Sequence, residues 1–224
     1  PSFEDLVSMG YLVEAIINYV ALLGWSPGDN REIFTLEELE KAFDVNGISK
    51  SPAIFDMEKL KWMNGEHIRR LPLEEFHKLA LPYYEKAIKN QDLDLLAVSK
   101  ILQPRTEVLS SIPESVDFLD SLPEYSNELY INKKMKTDEQ VSLVSLKAAL
   151  PVLEDLEPWN SDSIHDALIS LAAEMGIKNG QMLWPVRTAI SGKAVTPGGA
   201  IEIAAILGKD ETIRRIKTGI MKLS

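Results

Sequence analysis

Residues 10–43, "GYLVEAIINYVALLGWSPGDNREIFTLEELEKAF", hold two helix signals and the break between them. Apolar residues over 11–23 recur at helical rather than alternating spacing, and Gly24 with the turn "SPGDNRE" closes the run. "TLEE" at Thr35 to Glu38 reads as a capping box, the hydroxyl accepting from the Glu38 N–H while the carboxylate reaches back, so a second helix should run to about Phe43. Asp56 is placed to cap "MEKLKWMNGEHI" in the same manner. Acidic residues cluster at such starts, as in "FEDL" and "LEEF", where they complement the helix dipole.

Further helical patterns cover 73–89, 93–102, 106–119, 138–153, 163–175, 180–190, 197–207 and 211–223. The only stretches with an extended look are 31–34 and 129–131. The chain therefore reads as mainly α, with few or no short strands. Prolines at 104, 113, 123, 151, 158, 185 and 197 should keep the later helices short. Soft boundaries fall near Pro72 and near Lys136, where polar "NKKMKTDEQ" separates two apolar clusters. No repeat of solenoid period recurs.

With 45% hydrophobic and 26% charged residues, the 224-residue chain should bury a core. No apolar stretch approaches the roughly 20 residues that span a bilayer, and the start lacks the pattern of a secretory signal, so a soluble cytoplasmic protein is expected, without membrane partners. Having no cysteine, it cannot form disulfides, thiolate zinc sites or a cysteine nucleophile. His67, His77 and His165 lie far apart, without metal-ligand spacing, and no phosphate-binding loop, dinucleotide fingerprint or serine-hydrolase elbow occurs. No catalytic or metal residues are assigned.

Net charge is −10, yet from Gly176 onward eight Lys and Arg face three acidic residues. A basic end on an acidic body suits a phosphate-facing surface or a solvated helix face equally well on charge alone. Within it, "TPGG" at Thr196 to Gly199 precedes an apolar helical run. Thr196 can serve as cap and Pro197 as first helical residue, while the glycines remove bulk, so amides at the positive helix end could meet a ligand closely. An ordinary capped helix with a flexible entry is the plainer reading.

Taken together, residues 10–43 and "SKSPAIFDMEKLKWMNGEHIR" resemble the C-terminal part of bacterial glutamyl-tRNA synthetases, with a second strong stretch over 180–215. The likeness covers essentially the whole chain. In that family "SFEDL" closely follows the KMSKS-type ATP loop, so Ser49-Lys50-Ser51 is an echo of that motif, and the chain, lacking an initiator Met, is expected to be a piece of a longer product.

The resemblance implies a stem-contact domain at 1–71, then two α-helical cages that bind the anticodon at 72–136 and 137–224. It implies tRNA(Glu) as partner and a missing N-terminal catalytic domain in cis, which would bind ATP and Mg and attach glutamate. The piece itself would carry no cofactor, would not catalyse and would be monomeric. By motif, Pro104-Arg105 matches a "PR" at the start of a helix whose arginine contacts the last anticodon base. Thr196, Pro197, Gly198 and Gly199 match a stretch that touches the other two, although Gly199 stands where relatives may place a bulkier apolar residue. The basic end offers Arg187, Lys193, Arg214, Arg215 and Lys217 to tRNA phosphates. A helical protein-interaction module without RNA affinity is the rival reading.

Overall fold

The computed structural model describes residues Pro1–Ser224 as twelve α-helices joined by short 3-10 turns, with no sheet. The only strand-like pairings are two isolated antiparallel bridges, Trp25 with Ile48 and Asn132 with Thr137. Two compact units form, one from 1–86 and 102–114, the other from 87–101 and 115–224. No helix is long and apolar enough to cross a membrane.

The first unit holds α1 (Phe3–Ser8), α2 (Val13–Gly24), α3 (Leu36–Ala42), α4 (Met57–Arg70) and most of α5 (Leu73–Ala87). The expected N-caps are present, though at α3 only half of the expected capping box forms: Thr35 Oγ1 accepts from the Glu38 N–H at 3.1 Å without a return bond from the Glu38 carboxylate, and Asp56 Oδ1 accepts from Glu58 and Lys59. Helices α2 and α4 enclose Leu6, Tyr11, Ile16, Tyr19, Leu60 and Met63. At Gly10 the backbone has φ 95°, and a β-carbon would lie 2.6 Å from the Ser110 nitrogen, so only glycine lets the chain pass.

Two buried asparagines tie the unit together. Asn64 Oδ1 accepts from the Leu12 N–H at 2.8 Å, while its amide nitrogen donates to Glu107 O at 2.6 Å and Gly10 O at 3.4 Å. Asn18 donates to Glu32 O and accepts from the Phe34 N–H, which holds residues 31–34 against a side chain rather than another strand. Those two backbone partners fix the orientation of the Asn18 amide. His67 Nε2, 2.8 Å from Asn18 Oδ1, must then be the donor.

Burial pushes the His67 pKa below the ordinary histidine value. The folded state then binds fewer protons than the unfolded chain, so this contribution to stability is full above about pH 6.5 and is lost as pH falls through the folded value. Denaturant midpoints measured from pH 7.5 to 5 should decline in the parent. The decline should be shallower in His67→Gln, which cannot take up a proton; equal slopes would refute the assignment.

The second unit contains most of α6 (Leu95–Leu102) and α7 (Ile112–Asp120), then α8 (Glu139–Glu154), α9 (Ser161–Met175), α10 (Asn179–Ser191), α11 (Ala200–Leu207) and α12 (Lys209–Leu223). Helix α10 is central, packing against α8, α9, α11 and α12. Met182, Val186, Ala189 and Ile190 are all buried, as suits a helix surrounded by others. Gly219 lets α12 come close, since a β-carbon there would lie 2.7 Å from the Tyr130 hydroxyl.

Several local expectations are corrected. The extended look of 129–131 gives way to a 3-10 turn, Asn127–Tyr130, whose Tyr130 is buried. The helix expected over 106–119 begins at Ile112, after a 3-10 turn at Leu109–Ser111. Pro82, Pro151 and Pro185 lie inside helices, as the patterns over 73–89, 138–153 and 180–190 expect. At Pro185 the reason is visible: it has no N–H for the Gln181 carbonyl, and the Ser145 hydroxyl donates to that carbonyl instead, at 2.8 Å.

Candidate nucleic-acid interface

Helix α10 ends at Gly192 in the left-handed region, φ 61°, where a β-carbon would press on Tyr125 and Pro123. The loop from Lys193 to Gly199 follows, and Arg187 organises it. Arg187 Nη1 donates to Thr196 Oγ1 at 2.8 Å and Nη2 donates to Ala194 O at 2.8 Å. The guanidinium lies over the Trp184 ring, 4.2 Å from its centroid, and its half-buried Nε has no partner. A planar fork suits this task because it fixes two acceptors and stacks at once.

The loop corrects the expected cap. Thr196 accepts from Arg187 and donates to Gly198 O, so its hydroxyl is committed within the loop. Helix α11 instead begins at Ala200 with Gly199 as cap, and the Gly199 N–H donates to Glu202 Oε2 at 3.0 Å. Pro197 and Gly198 are buried and Val195 projects, 84% exposed. The amides of Ala200 and Ile201 have no intrahelical acceptor, as in any first turn.

Beside this turn opens a pocket of about 460 Å³, walled by Met135, Gly180, Leu183, Trp184, Arg187 and residues 199–202. Its lining is mostly apolar. A flat aromatic group could lie along Trp184 or Ile201 while its polar edge meets the first-turn amides or Glu202. The earlier reading missed Trp184 and Glu202. Spacing of three residues on one helix places Trp184 beside Arg187, a signal present in the sequence.

Of the basic candidates, Arg215 is corrected outright. It is 0% exposed, with Nε 2.8 Å from Glu211 Oε1 and Nη1 donating to Ile190 O at 2.7 Å, so its charge is spent inside the fold. Arg214 is exposed but forks onto Glu211, and the two arginines, Arg214 foremost, hold that carboxyl down at about 2. Lys193 pairs with Asp117 at 2.8 Å. Lys217 is exposed.

Arg105 is exposed and belongs to the first unit, in the 3-10 turn Gln103–Arg105 that follows α6. The "PR" dipeptide thus ends a helix rather than beginning one, where a cation is favoured by the dipole. Gln103 Nε2 anchors the turn, donating to Ile68 O and Leu71 O at 2.9 Å each. The backbone carrying Arg105 is therefore held to the end of α4.

Comparison with known proteins agrees with such a surface. The model for the anticodon binding domain matches residues 75–220, and that for the catalytic domain of class I tRNA synthetases (E and Q) matches residues 2–62. Glutamate–tRNA ligase of Clostridium tetani is 61% identical over 99% of this chain, which covers 45% of that protein. The enzyme of Clostridium acetobutylicum is 55% identical, again with 99% of this chain and 46% of the relative covered. The chain spans about half the length of these curated relatives. Among solved structures, a glutamate tRNA ligase from Elizabethkingia meningosepticum superposes with a TM-score of 0.82 at 29% identity, over 96% of this chain and 42% of that one.

Proposed function

Because the chain belongs to the anticodon-binding domain family, we propose that it is the tRNA-recognising part of a glutamate–tRNA ligase, acting on tRNA(Glu). The observation that carries this reading is the apolar pocket between Trp184 and the bare first turn of α11. Specific reading of RNA relies on unstacked bases, which are held by stacking and by donors to their edges. Gly199 keeps the entry free of side chain, so an anticodon base reaches Trp184, Ile201 and the amides of α11 without displacing protein. The Thr196–Gly199 loop contacts the first two anticodon bases and Arg105 the last.

Phosphate contacts fall to Lys217 and to the exposed flank of Arg214, while Arg187 and Lys193 act by shaping the loop. The chain is read as a stem-contact domain at 1–71 and cages at 72–136 and 137–224; the first boundary falls in the gap at 63–74 between the two family matches. ATP and Mg are used by the catalytic domain that such an enzyme joins in cis, in the cytoplasm and as a monomer. The chain by itself attaches no glutamate.

Arg105→Ala tests the reading at one base. In the full-length ligase it should cost about 1–3 kcal/mol of cognate tRNA binding and narrow the preference over a tRNA altered at the last anticodon position. An unchanged affinity ratio would remove Arg105 from the site.

A further inference from the structure

The lysine-rich segment after Tyr130 is not a loose boundary. The Asn132–Thr137 bridge folds it into a tight turn in which Lys136 adopts φ 59°, a left-handed backbone that is unfavourable for a residue other than glycine. Gln181 in the first turn of α10 grips that turn. Its Oε1 accepts from the Lys178 N–H at 3.0 Å, and its Nε2 donates to Lys136 O at 3.1 Å. One amide side chain thus sets the two lysines side by side.

Their charges are left uncompensated. Neither Lys136 nor Lys178 forms an ion pair, and both are exposed. Asp138, the closest carboxylate in sequence, is engaged in capping α8 through the Val141 N–H at 2.8 Å. The Lys136 side chain, first by lying within hydrogen-bond reach and then by its charge, draws the Lys178 pKa below the ordinary lysine value. A strained turn that converges two cations without an anion has a use where an anion is received. The position says which anion: Met135 and Gly180, the chain neighbours of Lys136 and of the first turn of α10, wall the pocket beside the Gly199 loop.

We propose that Lys136 and Lys178, held together by Gln181, form a notch for a backbone phosphate of the unpaired RNA strand whose base enters the adjoining pocket. The assignment rests on the RNA-binding function proposed above and adds to it a phosphate site that joins Lys178 of the basic C-terminal end to Lys136 outside it. Gln181 is a positioning residue here.

The test uses full-length ligase carrying Lys136→Gln and Lys178→Gln, with tRNA(Glu) binding titrated from 50 to 500 mM salt. With about 0.7 counterions released for the one phosphate held on a single strand, the slope of log K against log salt should become shallower by about 0.7, so affinity at 0.1 M salt drops about fivefold and the loss fades toward 1 M. A tRNA with a substituted anticodon should lose the same factor, since phosphates carry no sequence. Gln181→Ala, which removes no charge, should lose part of that slope, and Lys133→Gln with Lys134→Gln should lose much less. An unchanged slope in the notch variant, or an equal loss in the Lys133/Lys134 control, overturns the notch while the function stands. Absence of salt-sensitive tRNA binding by the parent enzyme overturns both.

Discussion

Arg187→Ala in the full-length ligase should weaken tRNA binding about 100-fold, close to 2.7 kcal/mol, while leaving the salt dependence nearly unchanged. The magnitude follows from two charge-assisted hydrogen bonds, to Thr196 Oγ1 and Ala194 O, that hold the loop in its binding shape together with the stack on Trp184. Without them the loop must be ordered at the moment of binding, and that entropy is subtracted from affinity. Arg187→Lys should not rescue, because an ammonium cannot reproduce the fork or the planar stack. Thr196→Val removes the acceptor for Arg187 and the donor to Gly198 O but leaves the guanidinium in place, and it should lose about tenfold, which separates loop order from any general loss of folding. A salt slope reduced by about one, with rescue by lysine, would instead make Arg187 a phosphate contact of the kind its sequence position suggests.

What was legible in the sequence was whatever depends on near neighbours. Thr35 and Asp56 cap helices because the N–H groups they accept from lie two or three residues away, and α2 is set by its own apolar spacing. Thr196 failed as a cap for the opposite reason: its hydroxyl is claimed by Arg187, a full α10 turn and a loop upstream, and no local pattern announces that competition. The helix pattern over 180–190 runs through Pro185, but what makes good the missing N–H there, the Ser145 hydroxyl from another helix, is likewise out of reach of any local pattern.

Arg215 marks a signal that was present and was outweighed by charge. Thr212, Ile216 and Gly219 share its face of α12 and are buried, and Glu211 stands four residues before it as a ready partner. Counting basic residues placed it on the surface, whereas the helical period places it inside. The lysine pair at 136 and 178 is the converse, since the two are far apart in sequence and meet only through Gln181. Binding surfaces made by such meetings are the part of function that composition hides.

The largest loss of stability is expected at Asn64. Replacing it by leucine keeps the volume that packs between α4 and the chain at Gly10–Leu12, so the change isolates the hydrogen bonds from the packing. Leu12 N–H, Glu107 O and Gly10 O would each lose the partner that Asn64 gives them in the interior, and of the three only Gly10 O keeps another, the Leu109 N–H at 3.2 Å. An unsatisfied buried group costs about 1–3 kcal/mol, so the sum is about 3–5 kcal/mol, comparable to much of the stability of a domain this size. Asn64→Asp keeps the acceptor for Leu12 but turns the donor into a charge facing two carbonyls, and it should be no better tolerated near neutral pH. Urea unfolding followed by far-UV circular dichroism would show the midpoint of the transition lowered at unchanged slope. If Asn64→Leu cost less than about 1 kcal/mol, water would have to reach those three groups, and the stitching of α4 to Gly10 and Glu107 would not be what holds the first unit together.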